Sequence, residues 1–248
     1  MKPKILVTYL LRTPLTVEPF LKTYHSHAAG MNHDFLIIDK GGITAAPKGY
    51  ERLRVNDRGY DFCAFGKVRP LSHKYDFIVK LNSTSLILAD QWLLKLYSAM
   101  QTDRAGIAGA TGAWATGRSM SSARWRNIVY PPFPNPHIRG TGFIIASEVF
   151  RKIWPGGLWH TLDKFRYLME HGRDNISKRI EALGLKLLVV DKHGAVWEKA
   201  DWEKSHTFRS GEQENLLIAD NQTLIYQAGS PTERVWMSET CWKNKYQD

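Results

Sequence analysis

Apolar runs and polar interruptions alternate along the chain at two periods, and the switches between them mark the elements. Ile5-Leu-Val-Thr-Tyr-Leu-Leu11 is a short, nearly continuous apolar run, the pattern of a strand buried on both faces. After the turn Arg12-Thr-Pro, the residues Phe20, Leu21, Tyr24 and Ala28 fall at helical spacing and predict a helix over 18–29, with Gly30 as its C-cap. Phe35-Leu-Ile-Ile38 repeats the strand pattern over 34–39. Strand, helix and strand in about 35 residues make a βαβ unit.

A third strand is predicted at 50–55, a loop at 56–61 and a helix at 62–71. Phe77-Ile-Val-Lys-Leu81 then reads as a buried strand that ends abruptly in Asn82-Ser-Thr-Ser85, followed by a helix over 89–100 on Trp92, Leu93, Leu96 and Met100. The second half is less periodic. Residues 105–114 are rich in Gly and Ala, and 119–139, with Trp125, Pro131, Pro132, Pro134 and Pro136, read as one long irregular connection. Further elements are expected at 140–146 (strand), 148–154 and 175–183 (helices), 186–190 (strand) and 213–226 (a closing helix). The stretch with Trp236 and Trp242 is expected to be a packed tail. This alternation predicts an α/β fold, a mostly parallel central sheet flanked by helices, in one domain over 1–248 whose C-terminal tail starts at about 221.

Composition narrows the classes. At 248 residues and 43% hydrophobic, the chain can bury a substantial core. No apolar run approaches the roughly 18 residues of a membrane span, and Met1 to Arg12 reads as a first core strand rather than a signal peptide. The two cysteines, Cys63 and Cys241, have no metal-ligand spacing, and a reducing cytoplasm is expected. The net charge of +10 fits nucleic acid, an anionic membrane face or a phosphate-bearing substrate. Its scatter along the chain argues against nucleic acid.

Taken in order over about residues 4 to 200, the motifs resemble those of the GT-A glycosyltransferases, in particular the large inverting family with rhamnosyltransferase-like members. Thr8-Tyr9 resembles the opening motif whose backbone lies under the nucleobase. Asp39-Lys40-Gly41 resembles the element that reads the base, and Asp57-Arg-Gly-Tyr-Asp61 the segment before the central strand. Leu81-Asn82-Ser83-Thr84 aligns with the Leu-Asp-x-Asp signature, Arg139-Gly-Thr-Gly-Phe with the acceptor-side strand, and Ile176 to Leu185 with the helix behind the catalytic acid. The resemblance implies a GT-A-like fold and transfer of a sugar from a nucleotide-diphosphate sugar to a glycan or polysaccharide acceptor, with inversion. Its alternative is a catalytically inactive module of the same fold that binds a nucleotide or sugar.

Two departures bear on mechanism. Asn82 and Thr84 stand where the family carries the Asp-x-Asp carboxylates, so Mg²⁺ or Mn²⁺ is expected to be only weakly required, with His206 as a further metal candidate. Gly172-Arg-Asp-Asn175 stands where the family carries Glu-Asp, which makes Asp174 the first candidate base and Glu170 the second. Asp174 is equally a first-turn helix residue. Asp39 could accept from a nucleobase N–H or simply start a turn; Asp57 and Asp61 could meet ribose or sugar hydroxyls, and Asp57 could equally cap the next helix. Arg58, Lys80 and Arg139 are candidates to compensate the departing diphosphate. His193 and His206 are candidates for a late histidine near it, and Trp114 and Trp159 for stacking on a sugar. A lipid-linked acceptor and the positive charge imply peripheral contact with the inner face of an anionic membrane.

Overall fold

The computed structural model describes residues 2–40, 47–55, 61–120, 124–154, 166–243 and 245. Its centre is an eight-stranded sheet in the order β11-β10-β6-β9-β4-β1-β2-β3. The strands are β1 (Ile5–Leu11), β2 (Asp34–Lys40), β3 (Glu51–Val55), β4 (Phe77–Leu81), β6 (Ala105–Gly109), β9 (Gly142–Ala146), β10 (Lys186–Val190) and β11 (Val196–Glu198). Strands β3, β2, β1 and β4 pair in parallel, as do β6 and β10. Strand β9 runs antiparallel between β4 and β6, and β11 antiparallel at the edge. Two short ribbons complete the β-structure: β5 (Leu86–Ile87) with β12 (Ile218–Ala219), and β7 (Gly112–Ala113) with β8 (His137–Ile138).

Side-chain alternation divides the core into two layers. Ile5, Val7, Tyr9 and Leu11 of β1 pack with α1 (Pro14–Ser26) and α3 (Trp92–Ala99) through Phe20, Trp92, Leu93 and Leu96. Leu6 and Leu10 face the other layer, built by α2 (Asp61–Gly66), α5 (Ser147–Ile153) and α7 (Ile176–Ala182) through Phe65, Phe150 and Ile180. Short helices α4 (Arg126–Val129) and α6 (Arg166–His171) border the second layer, and α8 (Asn221–Ala228) and α9 (Pro231–Trp242) close the chain. The architecture is the expected one: a mixed α/β sheet, mostly parallel, with helices on both faces.

Several boundaries differ from expectation, each for a local reason. Helix α1 begins at Pro14, where a first-turn proline lacks only a donor that would be unpaired anyway, and it ends at Ser26. Gly30 therefore sits beyond the helix at φ +79°, against Gln91 and Leu94. The helix expected over 62–71 stops at Gly66 and gives way to a 3₁₀ turn at Arg69–Lys74 with Pro70 in its first turn. Residues 105–109, read as merely Gly- and Ala-rich, form the central strand β6. A Cβ at Gly106 would lie 2.3 Å from Ile180, so α7 packs too closely for larger residues. The closing helix starts only at Asn221, behind the Asp220 capping box, and the tail is itself a helix capped by Ser230 and Glu233. Cys63 and Cys241 are both buried.

Candidate functional site

A cavity of about 490 Å³ opens at the carboxyl ends of β1, β4 and β6, the edge at which open α/β sheets bind ligands. Arg12 follows β1, Lys80 and Asn82 end β4, and Ala113, Ala115, Thr116 and Gly117 follow β6. Because β9 runs antiparallel, the residues that precede it, Arg139 to Thr141, reach the same edge. Helix α6 supplies Glu170 and His171; the C-terminal region supplies Phe208, Arg209, Asp220 and Trp236. The described lining thus holds four cationic side chains, Arg12, Lys80, Arg139 and Arg209, against the carboxylates Asp61, Glu170 and Asp220.

The polar run that ends β4 is tied into a closed turn. Asn82 Oδ1 accepts from the Thr84 backbone N–H at 2.8 Å and from its hydroxyl at 3.1 Å. The Ser85 hydroxyl accepts from Asn82 N–H at 2.9 Å and donates to the Thr141 carbonyl at 2.5 Å. These bonds join the end of β4 to the start of β9. They also decide how the turn suits a divalent ion. Hard cations want charged oxygens, whereas here the carboxamide oxygen is already used and the hydroxyl is neutral. Among the described residues no group of three His, Cys, Asp or Glu side chains is placed to hold a metal. The donor set at Asn82 and Thr84 does not fit a protein-held Mg²⁺ or Mn²⁺.

A second network fixes the opposite wall. Asp220 Oδ2 accepts from the Thr141 hydroxyl at 2.6 Å and from Arg139 Nη1 at 3.4 Å, while its Oδ1 accepts from the backbone N–H groups of Gln222 and Thr223, both at 3.0 Å. Burial pushes the Asp220 pKa up, but Arg139 and these hydrogen bonds outweigh it and hold the carboxyl below its ordinary value. The Arg139 guanidinium also lies over the Phe208 ring, 3.8 Å from its centroid. Glu170 Oε1 accepts from Gly140 N–H at 2.8 Å. Behind it, His137 and His171 are neutral: burial and then His171 push His137 down to about 3, and burial and then Arg139 and Arg126 push His171 down to about 4.

The structure brings together Asp61, Lys80, Asn82, Arg139 and Glu170 from among the residues singled out in the sequence. Asp61 stands 3.9 Å from Arg12. Others lie elsewhere. Thr8 is fully buried and donates to the Val79 carbonyl at 2.8 Å, because strand alternation turns it into the core. Tyr9 stacks on Phe20 with centroids 3.9 Å apart and donates to the Ser83 carbonyl at 2.9 Å; burial pushes its phenol up to about 12. Asp39 is fully buried and bound by Arg52 at 2.5 Å, outside the cavity lining. Ser83 and Thr84 belong to the turn at the rim, where Thr84 Oγ1 lies 3.4 Å from Asn221 Oδ1.

Asp174, the first candidate base, lines no part of the cavity and is held by Arg179 at 2.5 and 3.0 Å on the surface. His206 pairs with Glu214 at 2.5 Å and His193 lies in the turn after β10; both are away from the cavity lining. Trp114 donates to the Lys199 carbonyl at 3.3 Å and packs on Trp242. Asp57, Arg58 and Trp159, and Gly41 beside Asp39, lie outside the described residues.

Sequence reasoning missed His137, Thr141, His171, Phe208, Arg209, Asp220 and Trp236, all at the cavity. One signal was available: Asp220-Asn-Gln-Thr223 is the spacing of a helix cap.

No family model matches the chain, and no curated protein sequence matches it. Among solved structures it is similar to the mannosyltransferase PcManGT from Pyrobaculum calidifontis, in complex with GDP-Man and Mn²⁺, at 11% identity and a TM-score of 0.45. The match covers 83% of this chain and 60% of that one, so the chain spans about three fifths of the length of that protein.

Proposed function

We propose that the chain transfers a sugar from a nucleotide-diphosphate donor to a glycan hydroxyl, with inversion, in the cavity at the carboxyl edge of the sheet. The observation that supports it is the convergence there of Glu170 with Arg12, Lys80 and Arg139. Such a transfer needs a base for the acceptor proton and positive charge for the leaving diphosphate. Glu170 is the base in this reading. Its Oε1 is oriented by Gly140 N–H, and Oε2 takes the proton of the acceptor hydroxyl as that oxygen attacks the anomeric carbon. The anomeric C–O bond breaks with its electron pair leaving on the diphosphate, whose charge the cationic side chains compensate. In this reading Asp61 and Asn82, on the cavity lining, meet donor hydroxyls. The acceptor is a glycan, free or lipid-linked; among the described residues no helix is long and apolar enough to cross a membrane.

The experiment is release of nucleoside diphosphate from a panel of UDP-, GDP- and dTDP-sugars, with oligosaccharide acceptors, for wild type and Glu170→Gln. Glu170→Gln is expected to lower turnover on the order of 10²-fold or more while leaving donor affinity within about threefold. Full turnover in that variant would remove Glu170 from the mechanism, and absence of binding by every donor would overturn the reading. A second reading, a binding module without turnover, is favoured by the loss of both carboxylates at Asn82 and Thr84. Donor binding with no product from any acceptor would select it.

A further inference from the structure

Lys80 is a lysine at an unusual address. It occupies the fourth position of β4, where the neighbouring Ile78, Val79 and Leu81 are core residues, and it is only 2% exposed. A lysine Nζ carries three donors. One goes to the Gly140 carbonyl at 2.9 Å. The other contacts are aromatic: Nζ lies 4.9 Å from the Phe62 centroid and 5.9 Å from that of Phe143. Among the described residues no carboxylate comes within ion-pair distance of it; Asp61, Glu170 and Asp220 act on it only through their fields. Burial lowers its pKa against those three opposing charges.

The chain keeps this group free at some cost, since an ammonium out of water without a close counter-ion is strongly disfavoured. Arg139, by contrast, is neutralised by Asp220 and covered by Phe208, and Arg12 is half exposed and faces Asp61. Lys80 combines burial, unused donors and a position on the cavity wall. Gly140 makes room for it, because a Cβ there would stand 3.4 Å from Nζ and 3.2 Å from the Phe62 ring. Two residues on, the Asn82 turn has no charged oxygen to offer a metal.

We propose that Lys80 is the built-in cation of this cavity and binds the diphosphate of its ligand directly, in place of a divalent ion held by protein carboxylates. The ligand class is a pyrophosphate-bearing anion, and its identification as a nucleotide sugar rests on the function proposed above. The buried ammonium needs an anion to complete its shell; the diphosphate needs fixed positive charge in a water-poor cleft. Each supplies what the other lacks.

The test is calorimetric titration of inorganic pyrophosphate, uridine diphosphate and guanosine diphosphate into the full chain, first in chelator and then in excess Mn²⁺. It compares wild type with Lys80→Met and with Lys22→Met, which changes an exposed lysine on α1. Wild type is expected to bind in chelator, with Mn²⁺ raising affinity less than about tenfold, roughly 1.4 kcal/mol. Lys80→Met is expected to lose at least tenfold and Lys22→Met nothing, while Lys80→Met melts no lower than wild type, since an apolar isostere replaces a buried charge.

Binding that needs Mn²⁺ by more than tenfold, or that survives Lys80→Met, overturns the role of Lys80 and leaves the nucleotide-sugar reading standing. Lys80-dependent binding of pyrophosphate with neither nucleotide bound supports the anion site and sinks that reading. No binding of any probe overturns both. Should Lys80→Met not fold, Lys80→Gln and the wild-type metal comparison decide.

Discussion

The pair of His137, buried, and His171, half-buried, makes stability depend on pH in a window that most proteins tolerate. His137 Nδ1 lies 2.8 Å from the Asn135 carbonyl, so Nδ1 carries the proton and donates. Asn135 in turn donates to the His171 carbonyl at 2.7 Å, and the His171 ring stacks on Tyr130 with centroids 5.3 Å apart. The charged groups around them are Arg139, Arg126 and Glu170. In the folded chain the two pKa values fall to about 3 and about 4, against about 6.5 when unfolded. The unfolded state therefore binds more protons between those values, and stability rises with pH. It is fully present above about pH 6.5 and is lost as pH falls towards 4 and then 3. Between pH 7 and pH 5.5 each histidine costs about 1.2 kcal/mol, and the pair about 2.5 kcal/mol. Urea unfolding at the two pH values measures this, with His137→Asn/His171→Asn as the reference because asparagine keeps a donor and cannot titrate. A wild-type loss below about 1 kcal/mol, or an equal loss in the double variant, would refute the assignment of neutral buried rings.

Two substitutions probe the frame around the cavity. Gly112→Ala would place its Cβ 2.5 Å from the indole of Trp202, which is 1% exposed; a loss of about 1–3 kcal/mol is expected in thermal or urea melts, and an unchanged midpoint would show that Trp202 yields freely. Asp220→Ala removes both the cap of α8 and the partner of Arg139 and is expected to cost about 3–5 kcal/mol, with Asp220→Asn in between because it keeps the cap acceptor. Asp220→Asn as stable as wild type would show that the charge of Asp220 contributes nothing.

What the sequence reveals of this fold follows how each element is buried. Strands β1, β2 and β4 are legible because both faces are covered by large side chains, so the apolar run is continuous. Strand β6 is equally central but illegible by that rule. Gly106 and Gly109 lie under Ile180 and Ile138 at separations that leave no room for a Cβ, so tertiary packing chose small residues that carry no strand signal. The C-terminal helices show the opposite failure. Their caps, Asp220 with Thr223 and Ser230 with Glu233, are written in the sequence, but the apolar residues upstream at 216–219 extend a helical pattern across what becomes β12.

The site is legible only where chemistry interrupts a pattern. A lysine within Phe77-Ile-Val-Lys-Leu81 breaks a buried run, and a charge in such a place must be satisfied by something the core cannot supply. Thr8, Tyr9 and Asp39 carry no such break. A threonine, a tyrosine and a strand-end aspartate can each be satisfied inside the sheet, and here they are, by Val79, Ser83 and Arg52. The remaining partners of Lys80 could not be read from its own segment at all. Gly140 reaches it because β9 is inserted antiparallel between β4 and β6, which carries 139–141 to the end of β4, while Glu170 and Asp220 act on it only through their fields. Asp220 then locks that loop through Thr141 and Arg139. The reversed strand is thus what gives one buried lysine a place on the wall of the cavity. By the same reasoning, slackening the Asp220 lock should move Gly140, and with it both the Lys80 ammonium and the Glu170 carboxylate that bond to that residue.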